Sequence, residues 1–281
     1  MKVNSKAQQV IPIVLTFLTF LALWGILYLL IFALNLLPTK EKIIFTLHKR
    51  DILLGLTIYL KTSIDFAIFI GNLMHSNPGW KKRIAIELGT AIGNATGTFL
   101  ILILWTFFKE VPILMTLMIL IASFVLIRMA EESFEEFLKY KNFTQIHSSI
   151  SILQKQLNLI NKFSGKFLKP IIPNLSITNI KVLSFVNLAI FSITIPFILG
   201  LDDFAGYIPL FSVINIYGFT IGVFFGHMIL NIGLFLSPQK TIILVRHPII
   251  LLIGGIAFVG IAFWGFWEVF KILQLLVLNL L

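Results

Sequence analysis

Apolar residues run along this chain in long unbroken stretches, and polar residues fall mostly in the short segments between them. A transmembrane helix needs ~20 apolar residues. Seven runs are that long: Ile11–Leu37, Ile52–Met74, Ile84–Phe108, Val111–Ala130, Val182–Ile214, Tyr217–Leu236 and Pro248–Phe270. The pattern predicts an all-α integral membrane protein of seven transmembrane helices. The fifth run is overlong and holds Pro196, Gly200 and Pro209, so a kinked or broken helix is expected there. The first run follows Lys2 and Lys6, exceeds the h-region of a cleaved signal peptide and lacks a small-residue cleavage site. It is expected to stay as a span.

Composition agrees. Of 281 residues, 58% are hydrophobic and 12% charged, against roughly 45–50% and about 25% in soluble domains, which excludes a water-soluble globule. The net charge of +10 would suit nucleic acid if it were clustered on one face. Here it is spread over loops between apolar runs, so a nucleic-acid partner is not expected. The chain has no cysteine, which removes disulfides, thiolate metal sites and thiol catalysis. No HExxH, P-loop or GxSxG is present, so neither an enzyme, a resident cofactor nor ATP-driven pumping is expected.

Lys and Arg counts set the expected orientation. Across seven alternating spans, the side holding the N-terminus collects Lys2, Lys6, Lys81, Lys82, Arg83, Arg128, seven lysines of 131–181, Lys240 and Arg246, a total of 15. The opposite side has 6, from Lys40, Lys42, Lys49, Arg50, Lys109 and Lys271. The positive-inside rule then puts the N-terminus in the cytoplasm of a multi-pass cell-membrane protein.

The connection 131–181 opens with Glu131, Glu132, Glu135 and Glu136 and then turns basic. Ile146, Ile150, Leu153, Leu157 and Ile160 alternate spacings of four and three, which predicts an amphipathic cytoplasmic helix. It would lie on the membrane surface, pair with a partner, or tuck against the bundle as a linker.

The chain also repeats itself. Asp65-Phe66-Ala67 recurs as Asp203-Phe204-Ala205, and Gly89, Gly93 and Gly97 recur as Gly218, Gly222 and Gly226 with the same GxxxGxxxG spacing. A third apolar run follows each set. The expected organisation is an N-terminal span and basic loop (1–51), a three-helix repeat (52–130), the connection (131–181) and a second three-helix repeat (182–281). With three spans per unit, the second inserts upside-down relative to the first. Inverted-topology repeats mark secondary transporters, whose substrate sites lie near the midplane where the repeats meet.

Small residues four apart let another backbone approach closely. Carboxylates in a span are different, because at the bilayer centre each costs at least ~2.5–3.5 kcal/mol and usually faces a polar cavity. Asp65 and Asp203 are the first candidate ligands, with Asp202 beside the latter. Asp65 also has Lys61 four residues earlier as a possible intrahelical partner. A second tier comprises Glu87 and Asn94 on one glycine-striped helix and His227 and Asn231 on the other. These side chains suit cation ligation or proton relay. His227 suits an interhelical hydrogen bond equally well, and Glu87 would be merely solvated if it sat near the surface. Thr62, Ser63, Asn72 and Thr98 are cavity-lining candidates.

Three stretches resemble the lysine-exporter superfamily, and within it the cadmium-resistance transporters. One is Thr62-Ser63-Ile64-Asp65 with the basic turn Lys81-Lys82-Arg83 and the glycine helix that follows. Another runs Gly200-Leu201-Asp202-Asp203-Phe204-Ala205-Gly206-Tyr207-Ile208-Pro209-Leu210-Phe211, similar to the family's Gly-Ala-Asp-Asn segment with its Ile-Pro-Leu-Phe tail. The last is Arg246-His247-Pro248 leading into a glycine-rich final span that ends near Glu268. The resemblance implies a two-times-three inverted repeat that exports a small solute, often a divalent cation such as cadmium, with the aspartates of both repeats at the substrate site. Phe204 stands where the family usually has Asn, and the N-terminal span and central helix are additions.

The expected function is a proton-coupled exporter of a divalent metal cation. Its ligands would be drawn from Asp65, Asp203, Asp202, His227, Asn94 and Glu87, and its partners would be the cation, the bilayer and a second copy of the chain in a homodimer. Export of an amino acid or other small organic solute, or a non-transporting membrane scaffold, are the alternatives.

Overall fold

The computed structural model describes residues 5–140, 143–168, 184–212 and 214–278, and among these all regular structure is helical. The helices are α1 (Ser5–Leu36), α2 (Lys49–Thr62), α3 (Ile64–Ser76), α4 (Trp80–Phe108), α5 (Pro112–Leu138), α6 (Thr144–Leu168), α7 (Phe185–Tyr207), α8 (Ile216–Leu236), α9 (Pro238–Val245) and α10 (Pro248–Leu278). A 3-10 turn, Ile208–Ser212, follows α7. Helices α1, α4, α5, α8 and α10 are long and apolar enough to cross a membrane, and α2 with α3 makes a sixth such span if counted as one bent pair. The chain is therefore an all-α protein built for a membrane. The described apolar part of α7, Phe185–Thr194, is shorter than a full crossing.

Local chemistry explains several helix starts. Pro112, Pro238 and Pro248 each open a helix at a position where the missing N–H costs nothing. Asn215 caps α8 by accepting from the Gly218 N–H at 2.9 Å, while its amide donates to Ile44 O and Thr46 Oγ1 on the 37–48 connection. Asn35 holds the same connection through a reciprocal pair of 2.8 Å bonds with the Ile43 backbone. Gly79, at φ 110°, makes the turn into α4 in a conformation that favours glycine.

The run Ile52–Met74 departs from the prediction of one continuous helix. It breaks at Ser63, and α2 and α3 meet at a bend of 63°. No Pro or Gly stands at the break. The Thr62 hydroxyl donates to Tyr59 O at 3.1 Å and Ser63 caps the end of α2 with its N–H, also on Tyr59 O. Local hydroxyl bonding of this kind competes with helix continuation.

Contacts group the chain into two units, each drawing on both sequence halves. One holds 1–100, 174–201 and 215–245, and the other 101–173, 202–214 and 246–281. In the first, α8 packs along α2 and also on α1, and the short helix α9 covers α3 and the end of α8. Backbones touch there. A Cβ on Gly222 would overlap the Ile52 carbonyl, and one on Gly55 would overlap the Phe219 carbonyl. On α4, Gly89 lies against Ala189 and Ser192 of α7, and Gly93 against Ile193. Each glycine-striped helix thus packs on the helix that opens the other sequence half.

In the second unit α5 and α10 form the main pair, with Gly255 receiving the Phe134 ring and Gly265 facing Ser123 and Pro209. The predicted amphipathic helix is α6. It folds onto α5 with Ile150 and Leu157 of the five-residue stripe buried, Leu153 and Ile160 half-buried and Ile146 exposed. Buried Glu131 on α5 accepts from Gln154 (3.4 Å), Asn158 and Asn161 (2.6 Å) of α6. This carboxylate clamp was not anticipated, although three amides at spacings of four and three on the flank of the apolar stripe are visible in the sequence.

Candidate functional site

Glycine faces bring α8 against α2, and Asn231 of α8 reaches Thr90 of α4, so polar side chains of the three helices meet inside the first unit. The polar residues on those faces join into one buried network. His227 of α8 is 3% exposed, and both of its ring nitrogens are engaged. Nδ1 lies 2.7 Å from the Tyr59 hydroxyl of α2, and Nε2 lies 3.0 Å from Asn231 Nδ2 one turn on. An amide nitrogen only donates, so Nε2 accepts and Nδ1 carries the proton toward Tyr59. Phe66 and Tyr59 wall the imidazole with tilted and edge-on rings.

Asn231 continues the network to α4. Its Nδ2 donates to Thr90 Oγ1 at 3.3 Å, and Thr90 in turn donates to the Glu87 carbonyl at 3.0 Å. The Glu87 side chain is fully buried, so it is not the surface-solvated group that one sequence reading allowed. Thr19 of α1 donates to Glu87 Oε1 at 3.3 Å, but the same single hydroxyl proton also serves Thr16 O at 2.8 Å. The side chains of Thr16 and Asn231 hydrogen-bond the same carboxyl. Two α1 threonines thus complete the surroundings of Glu87. They went unnoticed in the sequence because α1 lies outside both repeats.

Asn94 is 4% exposed, two turns along α4 from Glu87, with an unpartnered Nδ2. Thr98 is buried and bonds back to Asn94 O at 3.0 Å. Ser63, at the break, is buried with an unpartnered Oγ. Asn72, by contrast, is exposed.

The three aspartates stand differently. Asp65 sits in the first turn of α3, two residues past the break, and Asp202 and Asp203 lie near the C-terminal end of α7 just before the 3-10 turn. Their side chains lie outside the described residues. Among the described residues, no group of three or more His, Asp or Glu is arranged to hold a metal ion.

Comparison with protein-family models, curated proteins and solved structures finds no match to this chain. The likeness to the cadmium-resistance transporters therefore rests on the quoted residues alone.

Proposed function

We propose that this protein is a secondary transporter that exports a small cation, with a divalent metal ion as the first candidate substrate. The observation that carries the reading is the buried polar network joining the two glycine-striped helices, Glu87 and Thr90 on one and His227 and Asn231 on the other. Apolar helices seldom bury a carboxylate, an amide and an imidazole together unless the site handles charge, because each group is costly in hydrocarbon.

Two further features support it. The crosswise packing of α8 on α2 and of α4 on α7 is what two inverted three-helix repeats would produce. A span broken at Ser63 presents a helix C-terminus and a helix N-terminus at one level beside Asp65, an arrangement transporters use to bind ions. In this reading α7 is the fifth of seven spans, the N-terminus is cytoplasmic, and Asp65 with Asp203 and Asp202 supply hard oxygen ligands. Two carboxylates neutralise a dication, and protonation of one would release it.

The test is uptake of Mn, Mg, Ca, Zn and Cd into proteoliposomes under an imposed pH gradient, with Asp203→Asn in parallel. Flux in the wild type that the variant abolishes is the expected result. If an orientation-controlled preparation of wild type moves none of the five, metal export is refuted and an amine-bearing solute or a scaffold role takes its place.

A further inference from the structure

Helix α6 folds back along α5. Near its start the His147 ring bonds Tyr140 O at 2.8 Å and packs on Phe137, and further along Asn158 and Asn161 bond Glu131. Later residues of α6 thus meet earlier residues of α5, so the two run antiparallel within one unit. Moving along α6 therefore means moving from the polar end of α5 toward its apolar middle. The third helix of the unit marks the same level. The Phe134 ring lies on Gly255 of α10, where Ile253 and Ile256 are 60% and 54% exposed. On a helix long and apolar enough to span, such isoleucines face hydrocarbon.

The exposed face of α6 changes in step with that level. Gln145 and Ser148 are exposed near its start, and beyond them Ile152, Leu159 and Phe163 are 58%, 67% and 68% exposed. At 3.6 residues per turn these five lie in one stripe about 60° wide. The stripe is polar beside the end of α5 and apolar over its last ~16 Å, at the level of Glu131 and deeper. Lys155 and Lys162, also exposed, flank it two turns apart on one side. Thr144–Leu168 holds three lysines and no Asp or Glu. Nearby acids of α5 are matched by other groups: Glu131 by α6 amides, Glu132 by Arg128, and Glu136 by Lys139 and Arg246. The surplus charge on this flank is positive.

We infer that the outer face of α6 is seated in the adjacent leaflet, with Ile152, Leu159 and Phe163 in the acyl boundary and Lys155 and Lys162 on the phosphates of anionic lipid. Apolar side chains beside lysines suit an interfacial helix, because the lysine stems bury while their ammonium groups reach the headgroups. A partner in water would not require the stripe to turn from polar to apolar with depth. In the proposed orientation this is the cytoplasmic leaflet, which carries the anionic lipid. The seat itself does not depend on transport. The clamp at Glu131 then couples headgroup charge to the packing of α5.

The chain lacks cysteine, so Ser148→Cys, Leu159→Cys and Phe163→Cys each carry a single nitroxide without background. All three sites are exposed, so the labels leave the helix packing in place. The full chain is placed in nanodiscs of phosphatidylcholine, with or without phosphatidylglycerol. Collision of each label with oxygen, which partitions into lipid, is compared with collision with a water-soluble nickel chelate. Labels at 159 and 163 are expected to meet mainly oxygen, and the label at 148 mainly nickel. Nickel access at 159 and 163 equal to that at 148 overturns the seat. So does shielding from both reagents, which would make the occupant a protein such as a second copy of the chain. The headgroup is read by hydrogen exchange of Thr144–Leu168. Exchange is expected to slow by about tenfold or more when phosphatidylglycerol is added, and to lose that gain in Lys155→Gln/Lys162→Gln. Equal exchange in both lipids, or a gain that the double variant keeps, overturns the anionic assignment.

Discussion

Replacing Gly222 by Ala adds one methyl group where two helix backbones touch. Ordinary van der Waals contact for such a carbon is 3.4–4 Å, yet the new Cβ would stand 2.9 Å from the Ile52 carbonyl carbon and 3.0 Å from its Cα. Neither neighbour is a flexible side chain, so α2 and α8 must part by about 1 Å along a face that also packs Ile58, Tyr59, Phe219 and Val223. Overpacking of this kind costs ~1–3 kcal/mol, against which alanine recovers up to ~1 kcal/mol of helix propensity. A net loss of about 1 kcal/mol is expected, or roughly 3 °C in melting temperature at ~2–4 °C per kcal/mol. Gly55→Ala strains the same contact from the other side, so the double variant is expected to lose less than the two single losses added together. The assay is thermal unfolding in detergent, and the control is Gly260→Ala on α10, where a Cβ meets nothing within 4 Å. If Gly222→Ala melts no lower than Gly260→Ala, the backbone contact between α2 and α8 is refuted.

Other outcomes follow from single contacts. Tyr59→Phe leaves His227 Nδ1 without its partner in a buried site and is expected to cost ~1–3 kcal/mol, read as a lowered melting temperature together with an altered imidazole nitrogen signal in NMR. Glu131→Ala removes the acceptor for three α6 amides, so Thr144–Leu168 is expected to gain hydrogen exchange and protease cleavage while α10 stays protected. Lys139 is held above its usual range by its hydrogen bond to Glu136 and by that carboxylate's charge. A raised value means the stabilisation is present at neutral pH and is lost only as pH rises through the lysine range. The pair is exposed, so Lys139→Ala at neutral pH is expected to change stability by no more than about 0.5 kcal/mol in urea or thermal unfolding.

Much of the architecture was legible in the order of residues. Membrane spans depend on length and apolarity, which are local, and so α1, α4, α5, α8 and α10 fall where the apolar runs lie. The middle of the α6 stripe, Ile150 and Leu157, is buried because a period near 3.6 fixes one side of a helix, while Ile146 at its start stays exposed. The spacing of the glycines predicted close helix approach. It did not say which helix would approach, and only the tertiary structure paired Gly222 with Ile52 and Gly93 with Ile193.

The site shows the same division. Glu87, His227 and Asn231 stood out as polar letters in apolar runs, because hydrocarbon makes such residues expensive wherever they occur. Their partners did not stand out. Thr16, Thr19 and Tyr59 are unremarkable in sequence, and their role comes from lying opposite Glu87 and His227 across helix contacts set by packing. The break at Ser63 was hidden for a related reason: without Pro or Gly, a hydroxyl-bearing pair ends a helix only where the rest of the fold favours the bend. Residue type thus fixed which groups need partners in a membrane, and three-dimensional packing alone decided which partners they found.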